Sequence, residues 1–137
     1  MTQHYRAVVI GGGIVGTAIL YHLAKAGWTD IALIERAELT AGSTWHAAAG
    51  FHVLNDNPNV AALQNYTINL YREVEAESGQ SIGMHMMGGI SLATTPARFE
   101  MLKAEKSRFD VMGMDTRIIG PEEIRALCPI VDVTGVI

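Results

Sequence analysis

Hydrophobic residues near the start of the chain change from a continuous run to helical spacing and back, which predicts a strand, a helix and a second strand. The run Arg6–Ile10 is apolar and largely β-branched after its first residue, as expected for a strand buried on both faces of a parallel sheet. Gly27 is a suitable stop for the helix, and Ile31–Ile34 predicts the second parallel strand. The helical positions between them are Ile14, Val15, Ile19, Leu20 and Leu23.

The rest of the sequence predicts shorter elements that do not continue this alternation. Asn57 and Pro58 are typical of a helix start, with a capping side chain and a proline in the first turn, and the helix would end near Gly79. Its apolar stripe would consist of Leu63, Tyr66, Leu70, Tyr71 and Val74. The further predicted elements are a strand over Gly88–Thr94, a helix from Thr95 to Gly113, a short strand over Arg117–Ile119 and a short helix over Pro121–Leu127. We therefore divide the chain into residues 1–56 and 57–137.

Three glycines, Gly11, Gly13 and Gly16, follow the first predicted strand, and an acid, Glu35, follows the second. This spacing is typical of a turn that holds the pyrophosphate of a dinucleotide on a helix N-terminus, where unpaired N–H groups and the positive end of the helix dipole meet it. The Glu35 carboxylate would accept hydrogen bonds from both ribose hydroxyls and would repel a 2′-phosphate, so the pattern disfavours NADP. The alternative is an ordinary βαβ unit whose glycines serve only packing.

Composition limits the remaining classes of function. The 137 residues are 49% hydrophobic, enough for a core, but the apolar runs are far shorter than the roughly 20 residues that cross a bilayer. We therefore expect no membrane partner. The formal net charge of −4 gives no sign of a nucleic-acid partner, although Lys103, Lys106 and Arg108 share one predicted helix face. Cys128 is the only cysteine, so the chain has neither an internal disulfide nor a cysteine metal cluster.

The two ends of the sequence lead to two expectations. Because the first predicted strand begins within a few residues of Met1, we expect no signal or transit peptide and a cytoplasmic location. The final stretch, Ile130–Ile137, is apolar and strand-forming, and two strands are too few to bury the faces of a parallel sheet. We therefore expect the N-terminal part of a longer polypeptide. The alternative is a small subunit completed by another chain.

The segment Thr40–His52 is unusually rich in small residues on both sides of a Trp-His pair. Its hydroxyls and amides would meet a second part of the cofactor, and its alanines would let a large flat group approach the backbone. With this segment, the chain resembles the N-terminal part of the FAD-dependent amine oxidoreductases of the D-amino-acid-oxidase type, most closely the dimethylglycine and sarcosine dehydrogenase or oxidase branch. The residues that carry the resemblance are Gly11-Gly12-Gly13-Ile14-Val15-Gly16, Ile34-Glu35-Arg36 and Gly42-Ser43-Thr44-Trp45-His46-Ala47-Ala48, with weaker support from Gly88–Ala93 and Pro121–Ile124.

The resemblance implies an α/β fold, in which a Rossmann-like FAD-binding βαβ unit leads into an interleaved α+β substrate domain. In this branch, the histidine at the position of His46 carries the flavin covalently through its 8α-methyl group. Neutral imidazole is a nucleophile, which suits that role; the alternative is a histidine that only hydrogen-bonds near the cofactor. The chain departs from the family at Ala49, where relatives commonly have glycine. The implied cofactor-binding residues are Gly11, Gly13, Ile14, Val15, Gly16, Glu35, Arg36, Ser43, Thr44, Trp45, His46 and Gly50.

The resemblance also implies an activity: oxidation of an N-methylated amino acid, such as dimethylglycine or sarcosine, by hydride transfer from the N-methyl carbon to the flavin. The substrate would be a small amine, with folate or an electron-transfer flavoprotein as a partner of the rest of the protein. No catalytic acid or base is assigned, and these residues alone are expected to be inactive. One alternative is an NAD-dependent dehydrogenase, which would not need the segment Gly42–Phe51. Another is a non-catalytic FAD-fold subunit, an electron-relay or interaction chain completed by another polypeptide.

The other histidines give no second chemistry. His85 stands among three methionines without a second pair of ligands, so a methionine-rich loop or core is favoured over a metal or haem site. His22 is expected on the surface of the first helix, and no spacing rule assigns a role to His52. The sequence therefore predicts no metal site.

Overall fold

Two short parallel strands and one helix form the first part of the molecule. In the computed structural model, which describes residues 4–137, β1 (Ala7–Ile10) pairs with β2 (Ile31–Ile34) in the register Ala7↔Ile31 to Ile10↔Ile34. Helix α1 (Ile14–Lys25) connects the strands and packs against both. The predicted βαβ unit is therefore confirmed. It lies in the first of two compact units, residues 1–50 and 51–137, whereas the sequence-based division after residue 56 stays a prediction.

The turn from β1 into α1 requires glycine at two positions. Gly11 has a φ of +107°, a conformation that side chains rarely adopt. A Cβ at Gly16 would collide with the carbonyl oxygen of Gly11, so this glycine allows the helix to pack closely against the end of the strand. Both observations agree with the spacing from which the turn was predicted.

Only one face of the two-stranded sheet is covered. Helix α1 lies on the face that includes Val9, while the opposite face exposes Val8 and 86% of Ile10. The expectation that β1 is buried on both faces is therefore wrong for the described residues. A continuous apolar run indicates that both sides of a strand are suited to burial, but burial of the second side also requires another element that packs against it.

The second unit contains three helices with well-defined starts: α2 (Pro58–Ser78), α3 (Pro96–Val111) and α4 (Pro121–Leu127). Asn57 caps α2 by accepting hydrogen bonds from the N–H groups of Asn59 and Val60, and Thr95 caps α3 by accepting one from Arg98. These boundaries confirm the predicted helices. The buried apolar side chains of the unit are Ala61, Ile68, Ala93, Ile124 and Val133.

Two predicted strands are wrong. Gly88–Thr94 and Arg117–Ile119 run without strand pairing in the described chain, and the first segment is held at Ala93, whose carbonyl oxygen accepts a hydrogen bond of 3.0 Å from Ile137 N–H. A strand needs a ladder of such bonds, and neither segment has a neighbour that provides one. Their β-branched residues favour an extended conformation locally, but a strand also requires pairing with a neighbour.

The buried face of α2 also differs from the predicted stripe. Leu63 is 64% exposed and Tyr66 is also exposed, whereas the helix buries Ala61 and Ile68. An apolar stripe shows which side of a helix suits burial, but the neighbouring segments decide which side is covered.

Acidic residues pair with the basic side chains of α3. Lys103 contacts Glu100 at 2.5 Å and Lys106 contacts Asp110 at 2.7 Å. Arg108 contacts Asp56 at 3.0 Å, so this face does not present an unbalanced positive patch. Among the described residues, none of the helices combines the length and hydropathy that a membrane span requires.

Candidate functional site

The turn between β1 and α1 is tied to the segment that follows β2. Gly11 N–H donates to the carbonyl oxygen of Ile34 at 2.8 Å, which continues the strand ladder by one bond. The carbonyl oxygen of Gly12, the following residue of the turn, accepts a hydrogen bond of 3.0 Å from Thr40 N–H. The glycine turn and residues 35–40 are therefore held side by side.

Glu35 is the side chain that joins these two segments most directly. Its Oε2 accepts a hydrogen bond of 2.6 Å from Gly12 N–H, and its Oε1 accepts one of 3.0 Å from Ala37 N–H. The bond from Gly12, followed by that from Ala37, lowers the pKa of Glu35 below its ordinary value, and the charge of Arg36 adds to the effect. Glu35 thus presents an ionised carboxylate beside the glycine turn, as its predicted role with ribose hydroxyls requires.

Gly12 is a site residue that the spacing argument passed over. A Cβ there would lie 2.6 Å from Leu39 Cδ2 and 3.0 Å from Glu35 Cβ, so a side chain would displace the end of Leu39 and crowd Glu35. The available signal was the uninterrupted run of three glycines, Gly11 to Gly13, which is longer than the pyrophosphate turn itself requires.

The N-terminus of α1 is arranged to receive an anion. Its first turn contains no acidic residue, and within the described chain the N–H groups of Val15 and Gly16 have no protein acceptor. Beside Gly11 a Cβ would meet no atom within 4 Å, so the approach to the backbone is open. Free N–H groups at a helix start fit the pyrophosphate of FAD.

Thr44 accepts a hydrogen bond from the remaining N–H group of this first turn, that of Ile14. The N-terminal capping residue, Gly13, has no side chain, and the Thr44 Oγ1 instead accepts a hydrogen bond of 3.0 Å from Ile14 N–H. The partners are 30 positions apart in the chain. Residues of the small-residue segment are thereby brought to the helix N-terminus, as their predicted role in cofactor binding requires.

His46 has a defined ring orientation. Its Nδ1 lies 3.0 Å from the carbonyl oxygen of Gly42. Because a carbonyl oxygen only accepts, Nδ1 carries the hydrogen in this bond, and the Nε2 of the neutral ring keeps its lone pair. The ring is exposed, and the Trp45 ring lies beside it with a centroid separation of 4.3 Å. The arrangement leaves a nucleophilic nitrogen accessible.

The other predicted site residues lie on the same unit but make fewer contacts. Arg36, Ser43 and Gly50 are exposed, and the carbonyl oxygen of Ser43 accepts a hydrogen bond of 3.3 Å from His46 N–H. Ala49, at the departure from the family pattern, has a φ of +58°. Glycine, which the resemblance implies at this position, adopts such a left-handed conformation more readily than alanine does.

The remaining histidines do not belong to the glycine turn or to residues 35–46. His22 Nδ1 lies 2.7 Å from the carbonyl oxygen of Ala18, one turn earlier in α1, and the ring is half-buried rather than fully on the surface. His52 and His85 are exposed residues of the second unit. Over residues 4–137, no group of three His, Cys, Asp or Glu side chains is placed to hold a metal ion.

Comparison with known proteins identifies the family. The DAO family, described as FAD dependent oxidoreductases, matches residues 6–137. Mitochondrial dimethylglycine dehydrogenase from Mus musculus is 42% identical over 130 residues, which are 95% of this chain and 15% of that protein. The mitochondrial pyruvate dehydrogenase phosphatase regulatory subunit from Mus musculus is 39% identical over 128 residues, 93% of this chain and 15% of that protein. The chain thus spans 15% of the length of each of these relatives.

The fold agrees with this assignment. The crystal structure of L-proline dehydrogenase from P. horikoshii superposes with a TM-score of 0.85 and 27% identity, covering 100% of this chain and 36% of that one. The resemblance deduced from the glycine turn, Glu35 and the Trp-His segment is confirmed. The chain belongs to the DAO family of FAD-dependent oxidoreductases, with an α/β fold and FAD as its cofactor.

Proposed function

We propose that the chain is the FAD-binding part of an amine oxidoreductase that oxidises an N-methylated amino acid such as dimethylglycine or sarcosine. The similarity to dimethylglycine dehydrogenase over 95% of the chain supports the substrate class. When bound, FAD supplies a two-electron acceptor for hydride from the N-methyl carbon. Glu35 would hold the ribose and the start of α1 the pyrophosphate, with Ser43 and Thr44 beside it.

We further propose that FAD is attached covalently through Nε2 of His46. The observation that carries this proposal is the bond from Nδ1–H to the Gly42 carbonyl, which fixes the tautomer and leaves the Nε2 lone pair free. Gly42 contributes open backbone beside the ring, and Gly50 is open as well, since a Cβ at either position would meet no atom within 4 Å. Trp45, 67% exposed beside His46, offers an aromatic surface to the isoalloxazine ring.

Acid precipitation of the full-length protein tests the covalent link. The yellow colour should stay in the pellet, because a carbon–nitrogen bond survives denaturation and a hydrogen bond does not. His46→Ala should release the flavin, while Glu35 and the glycine turn still bind it in the native state. His52→Ala is the matched control, because His52 lies in the same tryptic peptide, Ala37–Arg72, and should leave the acid-stable flavin unchanged. Wild-type flavin released entirely by acid would disprove the link.

A second candidate function is a non-catalytic, regulatory role for the FAD fold. It is favoured by the 39% identity to a protein named a phosphatase regulatory subunit, which covers almost the same length of this chain as the dehydrogenase match. Reduction of an artificial electron acceptor by the full-length protein, with dimethylglycine and sarcosine supplied in turn, separates the two functions. Turnover supports the enzyme. FAD binding without turnover of either amine supports the regulatory reading.

The partners and location remain proposals as well. The product of N-methyl oxidation is an iminium that is hydrolysed or passed to folate, and an electron-transfer flavoprotein is the proposed acceptor. Formaldehyde release with and without tetrahydrofolate tests the first of these. Cell fractionation tests the proposed cytoplasmic location.

A further inference from the structure

Helix α1 is capped by a residue from a distant part of the chain. The Thr44 hydroxyl accepts the Ile14 N–H bond at 3.0 Å, and a Cβ at Gly13 would lie only 3.0 Å from the same oxygen. Thr44 is half-buried, whereas Ser43, Trp45 and His46 on either side are exposed. Within this exposed segment, Thr44 is therefore the side chain that anchors to the helix.

Residues 42–47 form one hydrogen-bonded turn around this anchor. His46 donates from Nδ1 to the Gly42 carbonyl and from its backbone N–H to the Ser43 carbonyl, and Ala47 N–H donates to the Thr44 carbonyl at 3.3 Å. Because His46 is bonded within this turn, the position of its ring follows the position of the turn. The bond between the Thr44 hydroxyl and Ile14 N–H then positions residues 42–47 at the N-terminus of α1.

We propose that Thr44 is a positioning residue for flavin attachment. Its bond to Ile14 N–H fixes the distance between the helix N-terminus, which receives the pyrophosphate, and the Nε2 of His46, which reacts with the other end of the cofactor. Thr44 acts through His46 on the rate at which the covalent bond forms. This inference rests on the proposed covalent role of His46.

The covalent step is an oxidation and needs an electron acceptor, for which we name dioxygen. A bond forms between His46 Nε2 and the 8α-carbon of the flavin, and one C–H bond of that methyl group breaks. The proton of this C–H bond and the proton of Nδ1 accompany two electrons to dioxygen, which gives one hydrogen peroxide per flavin attached. The Gly42 carbonyl holds the Nδ1 proton until the new bond makes it acidic.

The rate of attachment in full-length apoprotein tests the role of Thr44. Flavin-free protein is mixed with saturating FAD in air, and acid-stable flavin is measured over time. Thr44→Val, which removes the hydroxyl at constant shape, should slow attachment at least about tenfold, since small misplacements of a reacting group carry large rate penalties. Thr44→Ser should restore the rate to within about twofold. Thr17→Val is the matched control, because its hydroxyl bonds only to carbonyl oxygens of Gly13 and Ile14.

A second measurement separates positioning from affinity. The FAD dissociation constant of Thr44→Val is measured in protein that also carries His46→Ala, and attachment rates are then compared at FAD concentrations that saturate each variant. The rate of attachment at saturation should still fall at least about tenfold, whatever affinity is lost. Attachment at the wild-type rate in Thr44→Val would overturn the proposal. So would a failure of both Thr44→Val and Thr44→Ala to bind FAD, which would make Thr44 a structural residue. Absence of acid-stable flavin in the wild type would instead refute the covalent role of His46, independently of Thr44.

Discussion

The two compact units of the chain are stabilised in different ways. In residues 1–50, hydrogen bonds join groups 20 to 30 positions apart, such as Gly12 with Glu35 and Ile14 with Thr44, and the buried positions include two glycines, Gly12 and Gly16. In residues 51–137, the buried positions are apolar side chains spread over helices and extended segments. The first unit therefore depends on backbone geometry around a turn, and the second depends on side-chain packing. Substitutions that target each kind of interaction can break this contrast or sharpen it.

The largest effect is expected at Gly16. Gly16→Val would drive a side chain into the Gly11 carbonyl, so α1 could not keep its position on β1. We expect a destabilisation of about 3 kcal/mol or more and loss of FAD binding. Gly89→Ala is the control from the second unit, since a Cβ there meets no atom within 4 Å. FAD titration and thermal unfolding of the full-length protein measure both variants. Equal effects of the two substitutions would contradict the prediction.

Packing in the second unit should respond to a cavity. Ile68→Ala removes a buried side chain of α2 and should cost about 2–4 kcal/mol, whereas Leu63→Ala, on the exposed side of the same helix, should cost less than about 0.5 kcal/mol. Urea unfolding of the full-length variants measures the difference. A larger cost for Leu63→Ala would show that the apolar stripe of α2 is buried after all.

A gain in stability is expected from Ala49→Gly. The φ of +58° is unfavourable for alanine and free of strain for glycine, so the substitution should stabilise the native protein by about 0.5–1 kcal/mol. Ala48→Gly, next to it and without a positive φ, should be neutral or slightly destabilising. Thermal midpoints of the two variants provide the comparison. A loss of stability in Ala49→Gly would mean that the strain is not present.

The smallest effect is expected from pH: the contribution of Glu35 to FAD affinity should not change between about pH 7 and about pH 5. Because backbone hydrogen bonds lower the pKa of Glu35 from its ordinary value of 4.5, their stabilisation is complete above that value and is lost as the pH falls through the lowered pKa. The ratio of FAD dissociation constants between His46→Ala and His46→Ala/Glu35→Gln should therefore be constant from about pH 7 to about pH 5. Isothermal titration at several pH values measures it. A ratio that falls markedly within this range would show that the pKa of Glu35 is raised and not lowered.

The first unit could be predicted from the sequence to a greater extent than the second, and the reason is physical. The glycine turn and the start of α1 follow from signals within a few residues of one another, and the position of Glu35 follows from the strand directly before it, Ile31–Ile34. The caps of α2 and α3 are equally local, and Asn57 and Thr95 both have the predicted role. Strands at Gly88–Thr94 and Arg117–Ile119 were predicted wrongly because pairing depends on a distant neighbour.

The site shows the same limit. Glu35 could be placed at the end of β2, but its bond to Gly12 N–H depends on the register between two strands. The cap on α1 could not be foreseen, because no propensity rule connects Thr44 with a helix that begins 30 positions earlier. Residue types and spacings indicate which groups are available. The three-dimensional structure decides which of them meet.

Insertions and deletions act on this site through the parallel register of β1 and β2. The loop at residues 26–29 lies before the ladder, which begins where Arg6 N–H donates to the carbonyl oxygen of Asp30, so one residue added in that loop leaves the strand ends aligned. A residue cannot be added in this way between Ile34 and Glu35, because Gly11 N–H donates to the Ile34 carbonyl oxygen and Gly12 N–H donates to the Glu35 carboxylate. An added residue at that point turns the carboxylate to the opposite side of the sheet. Length variation within this family should therefore be tolerated before β2 and excluded at its carboxyl end.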